Sequence, residues 1–275
     1  MAQTHHTHII AVGSQKGGVA KTTNCVHIAA ALAERGRKCL IWDLDMNHGA
    51  TLHLGVPSDA FLGSFEVLTG EETPQDVIIT SRDSGVDLPE NVDLIAGGRH
   101  LEQIDHTSLV HNTMRVTQDM LSKPLAALNG TYDYILLDTA PNLTLPTLAA
   151  YKTAQWFILS ATPEPFAIAG LGNALRDLHM ARTSGHSRVR LLGVVISCFD
   201  ARMKVARSFL EYIEENLTLP DGTTLSFATT ITRSTVVAQA QQVGKTLFQT
   251  HPEHQITKQY RALAQEIEAR LQRDA

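Results

Sequence analysis

The stretch Gln15-Lys16-Gly17-Gly18-Val19-Ala20-Lys21-Thr22-Thr23 says most about the architecture of this chain. An apolar run (9–12) precedes it and a helix-forming segment (24–34) follows it. A glycine-rich turn between strand and helix presents successive backbone N–H groups, which with the helix N-terminus form a cradle for anionic oxygens. In such a loop the closing lysine reaches the β- and γ-phosphates of a nucleotide and the next hydroxyl holds Mg²⁺, roles that fall to Lys21 and Thr22. The common pattern G-x-x-x-x-G-K-[ST] is not met, because Gln15 and Ala20 occupy its glycine positions. A second lysine, Lys16, marks the loop instead. The ATP-binding segment is therefore read as Lys16, Gly17, Gly18, Val19, Ala20, Lys21, Thr22 and Thr23.

Outward from this loop, short apolar runs alternate with helix-length segments. Strands are expected over 9–12, 38–43, 92–95, 134–138, 156–160, 191–197 and 228–231. Helices are expected around 24–34, 108–128, 145–152, 168–183, 202–216, 235–243 and 255–273. This alternation predicts an α/β fold, a mostly parallel twisted β-sheet flanked by helices on both faces. Ligands of such sheets bind beyond the carboxyl ends of the strands, where the loop falls. The polar segment 71–90, with Pro74, Gly85 and Pro89, reads as a mobile surface excursion. The rest reads as one domain over 1–275, with no room for a helix-turn-helix module before the first strand.

Two further segments carry carboxylates. Ile41-Trp42-Asp43-Leu44-Asp45-Met46-Asn47 ends the second strand with alternate acids, which an extended chain directs to one side. Tyr132-Asp133-Tyr134-Ile135-Leu136-Leu137-Asp138-Thr139-Ala140-Pro141 is an apolar strand closing on an aspartate. That is how a Walker B strand fixes a carboxylate for Mg²⁺.

Composition bounds the rest. At 275 residues, 43% hydrophobic and 19% charged, the chain is that of an ordinary globular protein. No apolar run is long enough for a membrane span, and the start of the chain lacks the layout of a secretory signal. Three scattered cysteines form no C-x-x-C pair, and Cys25 and Cys39 read as buried thiols. His5, His6 and His8 read as a solvated terminus rather than a metal site. A net charge of −5 means that any contact with nucleic acid needs a local basic patch.

Together these segments resemble the ParA/MinD superfamily of ATPases, whose deviant Walker A loop reads K-G-G-x-[GA]-K-T-T. The family's D-x-D-P-Q is matched at Asp43 and Asp45, with Met46 and Asn47 in place of Pro-Gln. Its D-x-x-P is matched at Asp138 and Pro141. Glu164-Pro165-Phe166-Ala167-Ile168-Ala169-Gly170-Leu171 is similar to the E-Y-Y-A-L-E-G-L segment that opens a dimer-facing helix in ParA proteins. Ser197-Cys198-Phe199-Asp200-Ala201-Arg202 resembles their M-x-D-[AG]-R turn. Ile231-Thr232-Arg233-Ser234 resembles I-P-R-N, with Thr232 for proline. The last helix, with Tyr260, Leu263, Ile267 and Leu271, is similar to their C-terminal packing helix. The likeness spans nearly the whole chain and is weakest from about 53 to 90.

The resemblance implies a P-loop NTPase fold, ATP and Mg²⁺ as cofactors, and an ATP-dependent homodimer. Lys16 would reach the nucleotide of the partner subunit while Lys21 serves its own. Asp45 would orient the attacking water, and Thr22, Asp43 and Asp138 would order the Mg²⁺ shell. Hydrolysis is expected to be slow until a ParB-like adaptor stimulates it. Arg202 and Arg233, with Lys204 and Arg207 beside them, would bind nonspecific double-stranded DNA, placing the protein in the cytoplasm on the nucleoid. The cargo would be a plasmid, a chromosome or another body.

Two rival readings are weighed. A MinD-like membrane-cycling ATPase ends in a basic amphipathic helix. Over 255–273 the apolar stripe has no Trp or Phe and the other face mixes both signs of charge, so a core-packing helix is expected and no membrane partner. An electron-donating ATPase like the nitrogenase iron protein needs cluster-ligating cysteines, and none lies between Cys39 and Cys198.

Overall fold

Six of the apolar runs become strands of one sheet: β1 (His8–Gly13), β2 (Cys39–Asp43), β3 (Val92–Ile95), β4 (Tyr134–Asp138), β5 (Trp156–Ala161) and β6 (Arg190–Ile196). Their order is β3-β2-β4-β1-β5-β6, and every neighbouring pair runs parallel. The computed structural model describes residues 6–57, 60–83, 85–104, 116–164, 167–183, 187–218 and 222–273. Around the sheet lie α1 (Lys21–Glu34), α2 (Gly49–His53), α3 (Ser64–Thr69), α4 (Pro74–Val77), α5 (Val116–Ala127), α6 (Leu145–Thr153), α7 (Ala167–Thr183), α8 (Lys204–Asn216), α9 (Thr235–Gln242), α10 (Leu247–Thr250) and α11 (Gln255–Arg273).

Side-chain alternation along each strand splits the core in two. Ile10, Val12, Ile41, Leu136 and Ile158 pack with α1 and α11 on one face. Ala11, Leu40, Trp42, Ile135, Leu137 and Phe157 pack with α5, α6 and α8 on the other. β2, β4 and β5 are buried at every position, as strands covered on both faces must be.

The last helix settles one expectation. In α11 the stripe Ile256, Tyr260, Leu263, Ile267 and Leu271 is at most 3% exposed. Two of its charges are tied to the end of α1 and the turn after it: Arg261 pairs with Glu34 at 2.6 Å, and Glu268 with Arg35 and Arg37 at 2.6 and 2.7 Å. The face that would have to enter a lipid surface is part of the core. Among the described residues no helix is long and apolar enough to cross a membrane.

Three expectations need correction or a boundary. The run 228–231 does not form a seventh strand. It touches β6 and the turn beyond it through the Ile231 N–H to Ile196 O and the Phe199 N–H to Ile231 O. Side chains of α11 take its other donors: Glu266 accepts the Ala228 and Thr229 N–H groups, and Gln259 that of Thr232. With those donors turned to α11, only isolated bonds to β6 and its turn remain, too few for a ladder. The segment 71–90 is not a free excursion either, since Val77, Ile79, Val86 and Leu88 are buried and Ile79 pairs antiparallel with Leu94. Of the helix expected over 108–128, the part before 116 lies outside the described residues.

Burial of two imidazoles under α11 makes stability depend on pH. His27 stacks on Tyr260 at 4.9 Å and meets the His53 ring at 5.0 Å. It donates from Nδ1 to Thr23 O and accepts the Leu247 N–H at Nε2, so its neutral form is the one the fold accommodates. Burial pushes His27 down to about 4 and His53, with His27 beside it, down to about 2. Both take up protons near pH 6.5 once unfolded, so their contribution is full above that pH. It is lost as pH falls toward the folded values, by about 2 kcal/mol per histidine between pH 7.5 and 5. The wild type should therefore lose about 2 kcal/mol more than a His53→Gln variant over this range in urea denaturation. Parallel pH profiles for the two proteins would contradict it.

Candidate active site

The order β2-β4-β1 sets three strand ends side by side. Register pairs Asp43 with Asp138, and Asp138 with Val12 at the foot of the loop after β1. The loop turns through two left-handed residues, Gly18 (φ 75°) and Ala20 (φ 64°). Ala20 thus adopts the glycine-like conformation at the position where the common pattern has glycine, a strain of about 1–2 kcal/mol held by the surrounding fold. Lys21 opens α1, is 7% exposed, and closes the loop by donating from Nζ to Lys16 O at 3.2 Å. Burial lowers its pKa, while the charges of Asp138 and Asp45 oppose that shift.

The three carboxylates are held differently. Asp138 is fully buried, and neither of its oxygens completes a hydrogen bond. Burial, with Asp43 nearby, raises its pKa well above the carboxylate range, although the Thr22 hydroxyl lies close enough to oppose that rise. Asp43, also fully buried, is pushed up to about 6 by burial against the hydrogen bonds it accepts from Thr51 and Asp45. β2 ends at Asp43, so strand alternation does not extend to Asp45. A turn places Asp45 instead, with the His48 N–H on Asp45 O and both the Asn47 N–H and Nδ2 on Asp45 Oδ1. Asn47, which departs from the family pattern, is thus the residue that orients Asp45.

An oxygen-only donor set fits a hard cation. Mg²⁺ takes one or two protein oxygens and completes its shell with water and phosphate. The Thr22 hydroxyl beside two unpartnered Asp138 oxygens is such a set. Gly49 packs over it, where a Cβ would lie 3.2 Å from Thr22 Oγ1.

The second lysine takes another course. Lys16 is half exposed and its ammonium pairs with Glu164, whose carboxyl is held below the usual range by that contact.

A family model described as an AAA domain matches residues 7–191. The chromosome-partitioning ATPase Soj of Thermus thermophilus is 32% identical over 263 residues, covering 96% of each chain. The chain belongs to the ParA/MinD family of P-loop ATPases. A ParA family protein of Chlamydia trachomatis is 32% identical over 259 residues, 94% of this chain and 96% of that one. Among solved structures, cobyrinic acid a,c-diamide synthase from Mycobacterium smegmatis with bound ATP analogue and magnesium aligns with a TM-score of 0.80 and 26% identity. It covers 98% of this chain and 97% of that one.

In this ParA/MinD-type ATPase the basic residues singled out by sequence sit at one end of β6. A bridge between Phe199 and Thr232 brings the turns of Arg202 and Arg233 together. All four of Arg202, Lys204, Arg207 and Arg233 are exposed. Arg202 is paired bidentately with Asp200, at 2.9 and 2.8 Å, and Arg207 donates to Ala201 O at 2.7 Å. Arg233 lies near enough to Glu164 to help lower its pKa. The segment that resembles E-Y-Y-A-L-E-G-L is described at Glu164 and from 167 onward, and Pro165 and Phe166 lie outside the described residues.

Sequence reasoning missed the residues that brace the site. Asn24, one turn into α1, is wholly buried and bonds Ser160, Ser197 and the Tyr260 hydroxyl. Thr51 bonds Asp43 from α2. Neither carries a motif. A buried Asn beside a phosphate loop is the one hint that patterning could have offered.

Proposed function

We propose that the chain is a ParA-type partition ATPase in which ATP binding and subunit pairing are one event. The observation that supports this most is the division between the two lysines. Lys21 is sealed in its own loop, while Lys16 stands half exposed in a surface ion pair with Glu164. Surface pairs of this kind contribute about 0–1 kcal/mol, so the phosphates of a second subunit's nucleotide can displace it.

The residues act on ATP as follows. The backbone N–H groups of Gly17 to Thr23 cradle the phosphates, and Lys21 neutralises their charge in cis. Thr22 and Asp138 would hold Mg²⁺, with Asp43 ordering its shell. A cation held by these oxygens would supply charge neutralisation to the phosphates. Asp45 aligns a water with the γ-phosphorus, and Lys16 of the partner subunit stabilises the charge from across the interface. The rate stays low until a ParB-like adaptor acts. Loss of the γ-phosphate removes the contacts that hold two subunits together.

The same reading gives the ATP-bound dimer a nonspecific DNA surface at the turns of Arg202 and Arg233, and so a place on the nucleoid. Lys204 and Arg207 extend it. Phosphate contacts of this type are sequence-independent and weaken with salt. Arg233→Glu should abolish ATP-dependent retention of arbitrary duplex DNA and leave nucleotide affinity unchanged. A gel shift with retention equal to wild type would contradict the assignment. A membrane cycle is the second reading, and the buried apolar face of α11 argues against it.

A further inference from the structure

Thr51 is wholly buried in α2. Its backbone N–H and its hydroxyl both donate to Asp43 Oδ2, at 2.9 and 2.8 Å. The hydroxyl in turn accepts the Gly97 N–H at 2.9 Å, so its single proton is committed to the carboxylate. Gly97 approaches closely: a Cβ there would lie 2.7 Å from Asp43 Cγ. The other carboxylate oxygen accepts the Asp45 N–H at 3.1 Å. Asp43 and Thr51 together therefore fasten three segments to one point: the turn after β2, helix α2, and the loop after β3.

We infer that Thr51 is a positioning residue for ATP hydrolysis. By fixing Asp43 it fixes the turn that carries Asp45, and it keeps Gly49 seated against Thr22. Three hydrogen bonds meet around one short residue, and its one hydroxyl both donates and accepts, so the arrangement is tightly specified. Without the hydroxyl, Oδ2 loses one donor and the Gly97 N–H loses its acceptor. The turn can then shift without unfolding the sheet. Displacements of this size at a reacting centre lower the rate far more than they lower affinity.

The inference rests on Asp45 as the water-aligning carboxylate, and the test separates the two. Thr51→Val keeps the side-chain shape and removes the proton. We expect kcat to fall about tenfold or more, as for a lost hydrogen bond to a charged group, with the ATP dissociation constant changed less than about threefold. Amide exchange over 44–51 in the nucleotide-free protein should quicken, and Thr51→Ser should restore both rate and exchange. If the valine variant does not fold, Thr51→Ala is read in its place with the same expectations. A kcat within about twofold of wild type, or a loss that Thr51→Ser shares in full, overturns the inference. Should Asp45→Ala hydrolyse ATP as fast as wild type, the reading of Asp45 falls and takes this inference with it. Should Asp45→Ala be inactive while Thr51→Val matches wild type in rate and exchange, the inference on Thr51 alone falls.

Discussion

Asp45→Ala is expected to bind ATP normally and to hydrolyse it on the order of 10²–10⁴-fold more slowly, the loss usual when a residue handling the attacking group is removed. The side chain is 7% exposed, its Oδ1 is fixed by two donors from Asn47, and its charge is felt at Lys21. Nothing in that arrangement contributes to the phosphate cradle itself. Affinity and catalysis should separate, and the variant should accumulate as a long-lived ATP-bound pair. Phosphate release measured beside light scattering checks both halves. Turnover near the wild-type rate, or a variant that stays monomeric with ATP, would contradict the role assigned to Asp45.

Lys16→Ala should remove pairing while sparing much of the nucleotide affinity. A two-fold dimer repeats every contact, so one substitution deletes two lysine–phosphate interactions. Hydrogen bonds to charged groups contribute about 1.5–3 kcal/mol each, which puts the combined loss at roughly 10²–10⁴-fold in the dimerisation constant. The cis site should survive, because Lys21 Nζ closes the loop on the backbone carbonyl of residue 16 and not on its side chain. Glu164, freed of its partner, has no share in the cradle. An ATP-dependent dimer of undiminished affinity in this variant would show that Lys16 does not act across the interface.

Much of this was legible in the chain, and the exceptions share a cause. β3 and β4 fall where their apolar runs predict, and α11 where its stripe predicts, because periodicity reports which face is buried. The Walker-like loop and Asp138 follow from strand and motif order, since strand ends and helix starts are local events. What escaped was set by partners distant in sequence. The run 228–231 has strand-like residues, but the Ala228 and Thr229 donors are met by Glu266 of α11 and only Ile231 bonds β6. The polar cast of 71–90 hid Val77, Ile79, Val86 and Leu88, two i, i+2 pairs too short to stand out as strands. Asp45 was expected to follow Asp43 by alternation, yet the strand stops and a turn takes over. That turn includes a left-handed His48 (φ 43°), a conformation uncommon for any residue but glycine and so not marked by a pattern in the chain. Thr51 is placed by the same turn and was invisible for the same reason.

Subunit mixing tests the shared site most directly. Lys16→Ala and Asp45→Ala proteins, each unable to turn over ATP alone, are combined and assayed for phosphate release. If the early lysine serves the opposite subunit, a mixed pair contains one complete site, with Asp45 and Lys21 from one chain and Lys16 from the other, and activity returns. If each chain supplies all of its own groups, both sites of the mixed pair stay broken, and a mixture as inactive as its components would contradict the shared site.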